Sequence, residues 1–507
     1  MQKYMDRWTV GIDFGATKTV LTYKAPGEED IIDWNHPSHP SIIPIPSSIA
    51  YGDNGAQAWG HDIGTDMPAH RFTKLLLDDL RAFDPADQRR IKAMVGARSL
   101  DLPPGTNCTI VVGHYLRQLR QTFEEAMRVQ WHLPCLPPFD WWFTLPVNWS
   151  FEAEINMRTA VEAAGFYERP VDTVHFLSEA EAAMAFVASH QPGIQQVGET
   201  VMVSDNGGHR HLSWLMGVGP LAVRQLTMVT GIMGGGIAID LNLYDYLVKN
   251  IRMPIPRVDT VIRAKKQFID PEMPIFVGNA INRIVEIIVQ SITAQLIQVG
   301  ERKLPPICIL VLVGGLSRSC YIRDRITQHI QQLDHEIETI VGKDPILAVG
   351  RGATLRGVAG ITPQVYDSLH HYALAVPTRG ADNDQAYASS RHPVITPGRR
   401  YVSGQRGSFV AEMRFDERDV VRLGVLRWTD EPGAGWIAEF TCDLSEINLS
   451  YLNCSRTRGV TIYRLDIQVQ WEIVVTIRRA LRWVVRAHGI EVARKIHPIE
   501  GLRPVQD

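Results

Sequence analysis

Twice in this chain an apolar strand runs into Asp-x-Gly and turns back into a second apolar strand. The first copy is TVGIDFGATKTVLTY at residues 9–23, and the second is VMVSDNGGHRHLSWL at residues 201–215. A strand–glycine–strand turn carries no bulky side chains, so its backbone N–H groups can approach a phosphate chain. Two such hairpins facing each other would grip a polyphosphate from both sides. An Asp at each strand end would then hold the water shell of Mg2+, which favours carboxylate oxygens. Asp13 and Asp205 take those two metal seats. Gly15, Gly207 and Gly208 form the turns, Thr17 and Thr19 offer hydroxyls, and Lys18 offers charge. No G-x-x-x-x-G-K-[ST] loop and no dinucleotide fingerprint occurs.

Strands and helices alternate around each hairpin, which predicts α/β architecture with two related lobes. The segment 71–84 reads as a helix or loop-helix, and 106–127 has helical periodicity. Residues 140–166 pass from a buried strand through a proline into a helix that Ser150 caps, with Glu152 and Glu154 in its first turn. The strand and Ala-rich helix of 174–190 precede QPGIQQVGET, a composition that marks a lobe boundary. The cycle then restarts. Long helices are expected at 278–300 and after the strand ICILVLV, whose Gly314–Gly315 forms a third glycine turn. Beyond about residue 365, alternating apolar and polar residues predict a β-rich region. Within it TIRRALRWVVRAHG reads as a helix, because Arg478, Arg482 and Arg486 recur at four-residue spacing. The expected domains are lobe I at 1–192, lobe II at 193–365, and the β-rich part at 366–507.

Composition narrows the function classes. With 52 basic against 55 acidic residues the formal charge is −3, which gives no electrostatic footprint for nucleic acid. The longest apolar run is too short to span a bilayer, and MQKYMDRW has no apolar secretory core. Six cysteines without C-x-x-C spacing read as reduced, structural thiols. A cytoplasmic protein is expected.

Taken in order, these segments resemble the actin/hexokinase/heat-shock-chaperone ATPase superfamily, with its ribonuclease-H-like lobes, and within it the 70-kilodalton heat-shock chaperones. VGIDFGATKTVL resembles the first phosphate loop and VMVSDNGG the second. RFTKLLLD is similar to the segment that places a catalytic lysine, here Lys74. FTLPVNW and FLSEAEAA resemble the first connecting region, with Pro146 and Glu179. TGIMGGG, with Gly234 and Gly235, is similar to the glycine segment that follows. RAKKQF resembles the adenosine-contact helix, with Lys265 and Lys266 at the matching places. LVLVGGLSRSCYIRDRI, with Gly314, Gly315 and Ser317, is similar to the adenosine motif, and DPILAVGRGATLRG to the closing helix. The resemblance spans residues 9–360. It implies ATP or ADP with Mg2+ as ligand, lobe closure gated by nucleotide, and a protein partner as output.

The chain departs from the family at the second loop, where Asp-x-Gly-Gly-Gly-Thr-x-Asp is expected. His209 and His211, or Arg210 and Leu212 in the other alignment, stand for the Thr and the last Asp. Phosphoryl transfer depends on positioning and charge, so loss of that carboxylate implies weak or absent hydrolysis. Arg210 is able to neutralise phosphate instead. Ala180 replaces the proline after the connecting Glu, and Ile262 the adenosine-helix Glu. The alternative is a repurposed enzyme, a cyclase or isomerase on a small molecule, whose acid/base groups would come from Asp13, Lys74, Glu179, Asp205, His209 and His211. Asp205, His209 and His211 are also chemically able to hold a metal, although ordinary loop histidines are the commoner case. Likewise Asp78, Asp79 and Asp84 read as a solvated helix end, and Trp141–Trp142 as core. The region after residue 365 is too short for a peptide-binding sandwich and lid.

Overall fold

The computed structural model describes residues 6–41, 44–52, 57–64, 67–78, 85–95, 98–146, 149–190, 200–207, 210–219, 222–225, 230–232, 241, 273–301, 306–333, 337–360, 365–368, 370–378, 388–397, 399–402, 405–416, 421–428, 435–457, 460–475, 479–499 and 502–504. They fall into two compact units, Met1–Gly360 and Ile361–Asp507.

In the first unit one sheet is built from β1 (Trp8–Phe14), β2 (Lys18–Lys24), β3 (Ile32–Asp33), β4 (Phe139–Leu145) and β5 (Thr173–Ser178) in the order β3-β2-β1-β4-β5. β1 is antiparallel to β2 and parallel to β4, and β4 is parallel to β5. A second sheet contains β6 (Thr200–Asn206), β7 (Arg210–Gly219), β8 (Ala222–Gln225), β9 (Ile309–Val313) and β10 (Glu338–Val341) in the order β8-β7-β6-β9-β10. Its directions are the same, antiparallel from β6 to β7 and parallel from β6 to β9 to β10. The unit is mixed α/β, and its two halves repeat one strand order.

Seven α-helices are described: α1 (Pro85–Val95), α2 (Cys108–Gln130), α3 (Phe151–Ala163), α4 (Glu179–His190), α5 (Met273–Glu301), α6 (Cys320–Gln332) and α7 (Ala348–Val358). Asn107 caps α2 and Ser150 caps α3, each side chain accepting from a backbone N–H in the first turn, which contributes ~1 kcal/mol apiece. The apolar stripe of α2 meets the first sheet through Phe14–Tyr115, Tyr23–Phe123 and Trp141–Phe123 ring contacts. Strand alternation sends Trp141 to that face and Trp142 to the other, where it stacks on His175 at 4.6 Å. Both tryptophans are core. α5 and α6 cover the second sheet with Ile284, Ile288, Ile292, Ile322 and Ile326 packed on Met202, Leu310 and Leu312.

The other two helices cross over. α4 lies between the sheets, packing on β4 and β5 of the first and on β6, β8 and β9 of the second, whereas α7 leaves the second sheet and packs on β1, β2 and β4 of the first. α4 and α7 also pack on each other. Their approach is set by absent side chains. A Cβ at Gly352 would overlap the Ala182 carbonyl, one at Gly350 would lie 2.6 Å from Val20, and one at Gly11 would lie 2.6 Å from the Gly350 carbonyl. Polar bonds fasten the contact: Thr22 Oγ1 donates to the Gly350 carbonyl at 3.0 Å, and Arg351 donates both Nε and an NH2 to the Asp33 carboxylate at 2.9 and 2.6 Å.

The second unit has a nine-stranded sheet and a three-stranded one whose strands, Val365–Ser368, Arg400–Val402 and Leu502–Pro504, come from the start, the middle and the end of the unit. Its strands alternate with period two. Ala411, Met413 and Phe415 are buried in Arg406–Asp416, and Leu465, Ile467 and Val469 in Val460–Val475. The helix expected near residues 476–489 is instead the strand Arg479–Ala487. Four-residue spacing is also an even number, so Arg482 and Arg486 share one strand face as readily as one helix face. Trp483, lying between them, is fully buried. Arg482 pairs with Glu472 across the strand boundary, and Arg486 donates to Gln470. Arg478 lies outside the described residues.

If the crossing is as tight as this, Gly352→Ala lowers stability by about 1–3 kcal/mol through overpacking, although Gly→Ala within an exposed helix gains ~1 kcal/mol. Denaturant midpoints of the two proteins decide the sign.

Candidate functional site

The two Asp-x-Gly turns lie at the ends of equivalent strands. β1 delivers Asp13 before the turn Gly15–Thr17, and the Gly15 amide donates to the Lys18 carbonyl at 3.0 Å. A Cβ on Gly15 would lie 2.5 Å from that same carbonyl, so the turn requires glycine. β6 delivers Asp205 before Gly207. Gly314, at the end of β9, is in the left-handed region with φ 85°, and a Cβ there would collide with the Asp205 carboxylate and the 206–207 backbone. Its missing side chain seats the Asp205 turn.

Lys74 arrives from a 3-10 helix, Thr73–Leu77, entered through Phe72 at φ 60°. Glu179 arrives at the first residue of α4, straight out of β5. The Lys74 Nζ donates to Glu179 Oε1 at 2.7 Å, with both side chains less than a tenth exposed. The ammonium also sits over the Trp149 ring, 5.3 Å from its centre, a placement that the ring quadrupole favours. Asp78, one residue past the 3-10 helix, accepts from the Ser150 hydroxyl at 2.6 Å and so ties that helix to the start of α3.

Electrostatics links the four charged groups. Burial above all, and then the Glu179 carboxylate, push Asp13 up to about 6, opposed by Lys74 and by a 3.0 Å hydrogen bond from Thr144 Oγ1. Burial holds Asp205 well above the usual carboxylate range, reinforced by Glu179 and Asp13 and opposed by Lys74 and the Gly207 amide. Three carboxyls therefore face one ammonium in a poorly solvated place. Such a set either retains protons or recruits a cation. Glu179 is engaged by Lys74, so Asp13 and Asp205 are the oxygen ligands a hard divalent cation would use.

Other expected site residues are placed differently. Thr19 is fully buried, and its hydroxyl meets Ser47 Oγ at 2.9 Å and accepts from the Tyr115 hydroxyl at 2.8 Å. It anchors the hairpin to the core instead of offering a hydroxyl to a phosphate. Ser317 is also fully buried; its Oγ donates to the Val313 carbonyl at 2.6 Å and accepts from Asn206 Nδ2 at 3.1 Å. That bond joins the two adjacent strand ends, and it makes Asn206 a positioning residue that the sequence reading passed over. Thr17 is half-buried, Lys18 is exposed at the turn, and Gly315 is exposed. Arg210 and His211 begin β7, in register with Asn206 and Asp205 respectively. Gly208, His209, Gly234, Gly235, Lys265 and Lys266 lie outside the described residues.

The raised Asp13 carboxyl has a definite consequence for stability. Its protonated form is favoured in the fold, so its contribution is complete below pH ~4 and is lost as pH rises through about 6. Asp13→Asn therefore stabilises the metal-free protein by about 1–3 kcal/mol at pH 7, and the gain disappears at pH 4. Lys74→Met costs ~3–5 kcal/mol by leaving Glu179 buried without its cation, and adding Glu179→Gln restores part of it. Denaturant unfolding at the two pH values measures both effects. Comparison with known proteins returns no matching family model and no matching curated protein.

Proposed function

We propose that the chain is a heat-shock-70-like nucleotide-binding protein with duplicated actin-like lobes, which takes ATP or ADP with Mg2+ and hydrolyses it slowly or not at all. The observation that carries this reading is the convergence of Asp13, Lys74, Glu179 and Asp205. They come from four separate segments to the strand ends of two sheets that share one strand order. The repeated order and the crossed helices α4 and α7 favour duplicated lobes over a single α/β sheet.

The residues present fit a magnesium nucleotide in charge and donor type. Asp13 and Asp205 would hold the ion's water shell, and the ion would supply neutralisation of the phosphate charge. The amides of the Gly15 and Gly207 turns would face the phosphates. Lys74, fixed by Glu179 and Trp149, keeps a single ammonium at the site. The second loop lacks the family's final Asp, so the group that orients the attacking water is missing and nucleotide acts as a conformational ligand. A protein partner would read the resulting lobe movement, and a cytoplasmic location suits both.

A second reading draws on the same raised carboxyls. With Asp13 at about 6 and Asp205 also raised, the pair is suited to general acid–base work on a small molecule without nucleotide. Calorimetric titration with Mg-ATP, with phosphate release followed in the same sample, separates the two. Saturable binding with little or no phosphate release is expected, weakened at least ~10-fold by Asp13→Asn even though that variant is the more stable protein. Absence of binding at about 1 mM nucleotide, a limit near −4 kcal/mol, overturns the proposal in favour of the acid–base reading.

A further inference from the structure

Away from the cleft, residues 36–39 and 61–62 bring three histidines and a carboxylate together. In HPSHP, Pro37 takes the second position of a turn closed by the His39 amide donating to the His36 carbonyl at 2.8 Å. Proline presets that position, and the turn brings the two imidazoles to 6.2 Å between ring centres. Twenty-one residues beyond His39, a 3-10 helix, Gly60–Asp62, delivers His61 and Asp62 to the same place. His39 and His61 lie 4.9 Å apart between ring centres. One side-chain atom each of His36, His39 and Asp62 lie within 4.8 Å of one another.

These nitrogens lack partners. His36 is 1% exposed, and its Nε2 makes no hydrogen bond, its nearest charged atom being Asp62 Oδ2 at 3.4 Å. His39 Nδ1 and His61 Nε2 are buried and unbonded as well. Unbonded imidazole nitrogens at His36 and His39 beside Asp62, with a third at neighbouring His61, are costly unless something accepts from them or binds them. His61 also bonds to the Pro44 backbone. Ring orientation by a backbone carbonyl is how metal-ligating histidines are usually fixed. Burial first, and repulsion among the rings, hold His36 and His61 below the ordinary imidazole range, with Asp62 opposing.

We propose that His36, His39 and Asp62, with His61 beside them, form a binding site for a zinc-class divalent cation, distinct from the Asp13–Asp205 cleft and independent of the nucleotide reading. Two imidazoles and one carboxylate make a three-ligand set of the nitrogen and oxygen kind zinc takes, and His61, 4.9 Å from His39 between ring centres, is placed beside it to become the fourth. Bond lengths of roughly 2.0–2.1 Å place tetrahedral ligand atoms about 3.4 Å apart, the separation that His36 Nε2 and Asp62 Oδ2 already have, so loading draws the remaining groups in toward that pair. His36 Nδ1 accepts a long 3.3 Å bond from the Ser38 amide. On loading, the Nε2 proton leaves, Nδ1 takes up a proton, and that bond is given up.

The ion would pin the 36–39 turn to the 60–62 helix. Between them run residues 45–46, paired with Lys18 and Thr19 of the first glycine hairpin, and Ser47, whose amide donates to the Thr17 carbonyl at 3.0 Å. The site thus braces the strand that carries the hairpin's outer edge.

The test uses chelator-treated full-length protein titrated with Zn2+ by calorimetry and with Co2+ by visible absorption and tryptophan fluorescence. One ion per chain is expected, with the intense visible bands of tetrahedral Co2+ and quenching of Trp59, whose ring lies 4.7 Å from His36. His36→Ala removes a core side chain and risks misfolding, so the informative variants are His39→Gln and Asp62→Asn at less buried positions. Each weakens Zn2+ at least ~10-fold without moving the melting temperature of the metal-free protein, and the double variant loses the Co2+ bands. Asp13→Asn binds Zn2+ as the parent does. No saturable Zn2+ binding, or unchanged affinity in the double variant, overturns the proposal; so does loss of the site in Asp13→Asn, which would move the ion to the cleft.

Discussion

Backbone contact between α7 and the first sheet is the constraint on which the rest of the first unit depends. Gly11 and Gly350 lie so close that neither admits a methyl group, and Gly352 meets α4 just as closely. Packing at that distance maximises dispersion but tolerates no added volume. The Thr22, Thr354 and Arg351 bonds satisfy the polar groups that such closeness would otherwise strand. With α7 held there and α4 held against the second sheet, the ends of β1 and β6 are brought within electrostatic reach of each other. Asp13 and Asp205 feel one another only because this crossing exists.

The cleft shows how a fold sustains an unfavourable charge set. Three carboxyls and one ammonium are not balanced, and burial amplifies the imbalance. The Lys74–Glu179 pair removes one charge of each sign, and Trp149 supports the ammonium. What remains is a pair of carboxyls whose charged forms burial disfavours. Poised groups of this kind are where a structure gives up stability for binding or chemistry.

Much of this was legible in the sequence. Both hairpins, the Ser150-capped α3, the α4 and α7 segments and the β-rich second unit follow from periodicity and turn chemistry. Lys74 and Glu179 were reached only through resemblance, because 105 residues separate them and no local pattern joins them. What stayed hidden depended on tertiary partners. Whether the Thr19 hydroxyl faces a ligand or the core is decided by Tyr115 and Ser47, and Ser317 is decided by Asn206. Arg482 and Arg486 fit helix and strand equally by spacing; the register of Trp483 with Trp471 resolves them into a strand. The histidine cluster was missed for the same reason, since HPSHP and GHD are unremarkable apart and acquire meaning only when a turn and a 3-10 helix meet.

The exchange of α4 and α7 also bears on how the chain matures at the ribosome. The first sheet has all six strands, the short one at Ile45–Pro46 included, once residue 178 has emerged, yet the helix α7 that packs on β1, β2 and β4 is not made until residue 358. For the intervening stretch of synthesis, an apolar sheet face and the Gly11 groove stay uncovered, and early domain-by-domain completion is closed to this half of the molecule. The helix that closes the first half is therefore supplied last, which ties completion of both halves to one late segment of the chain.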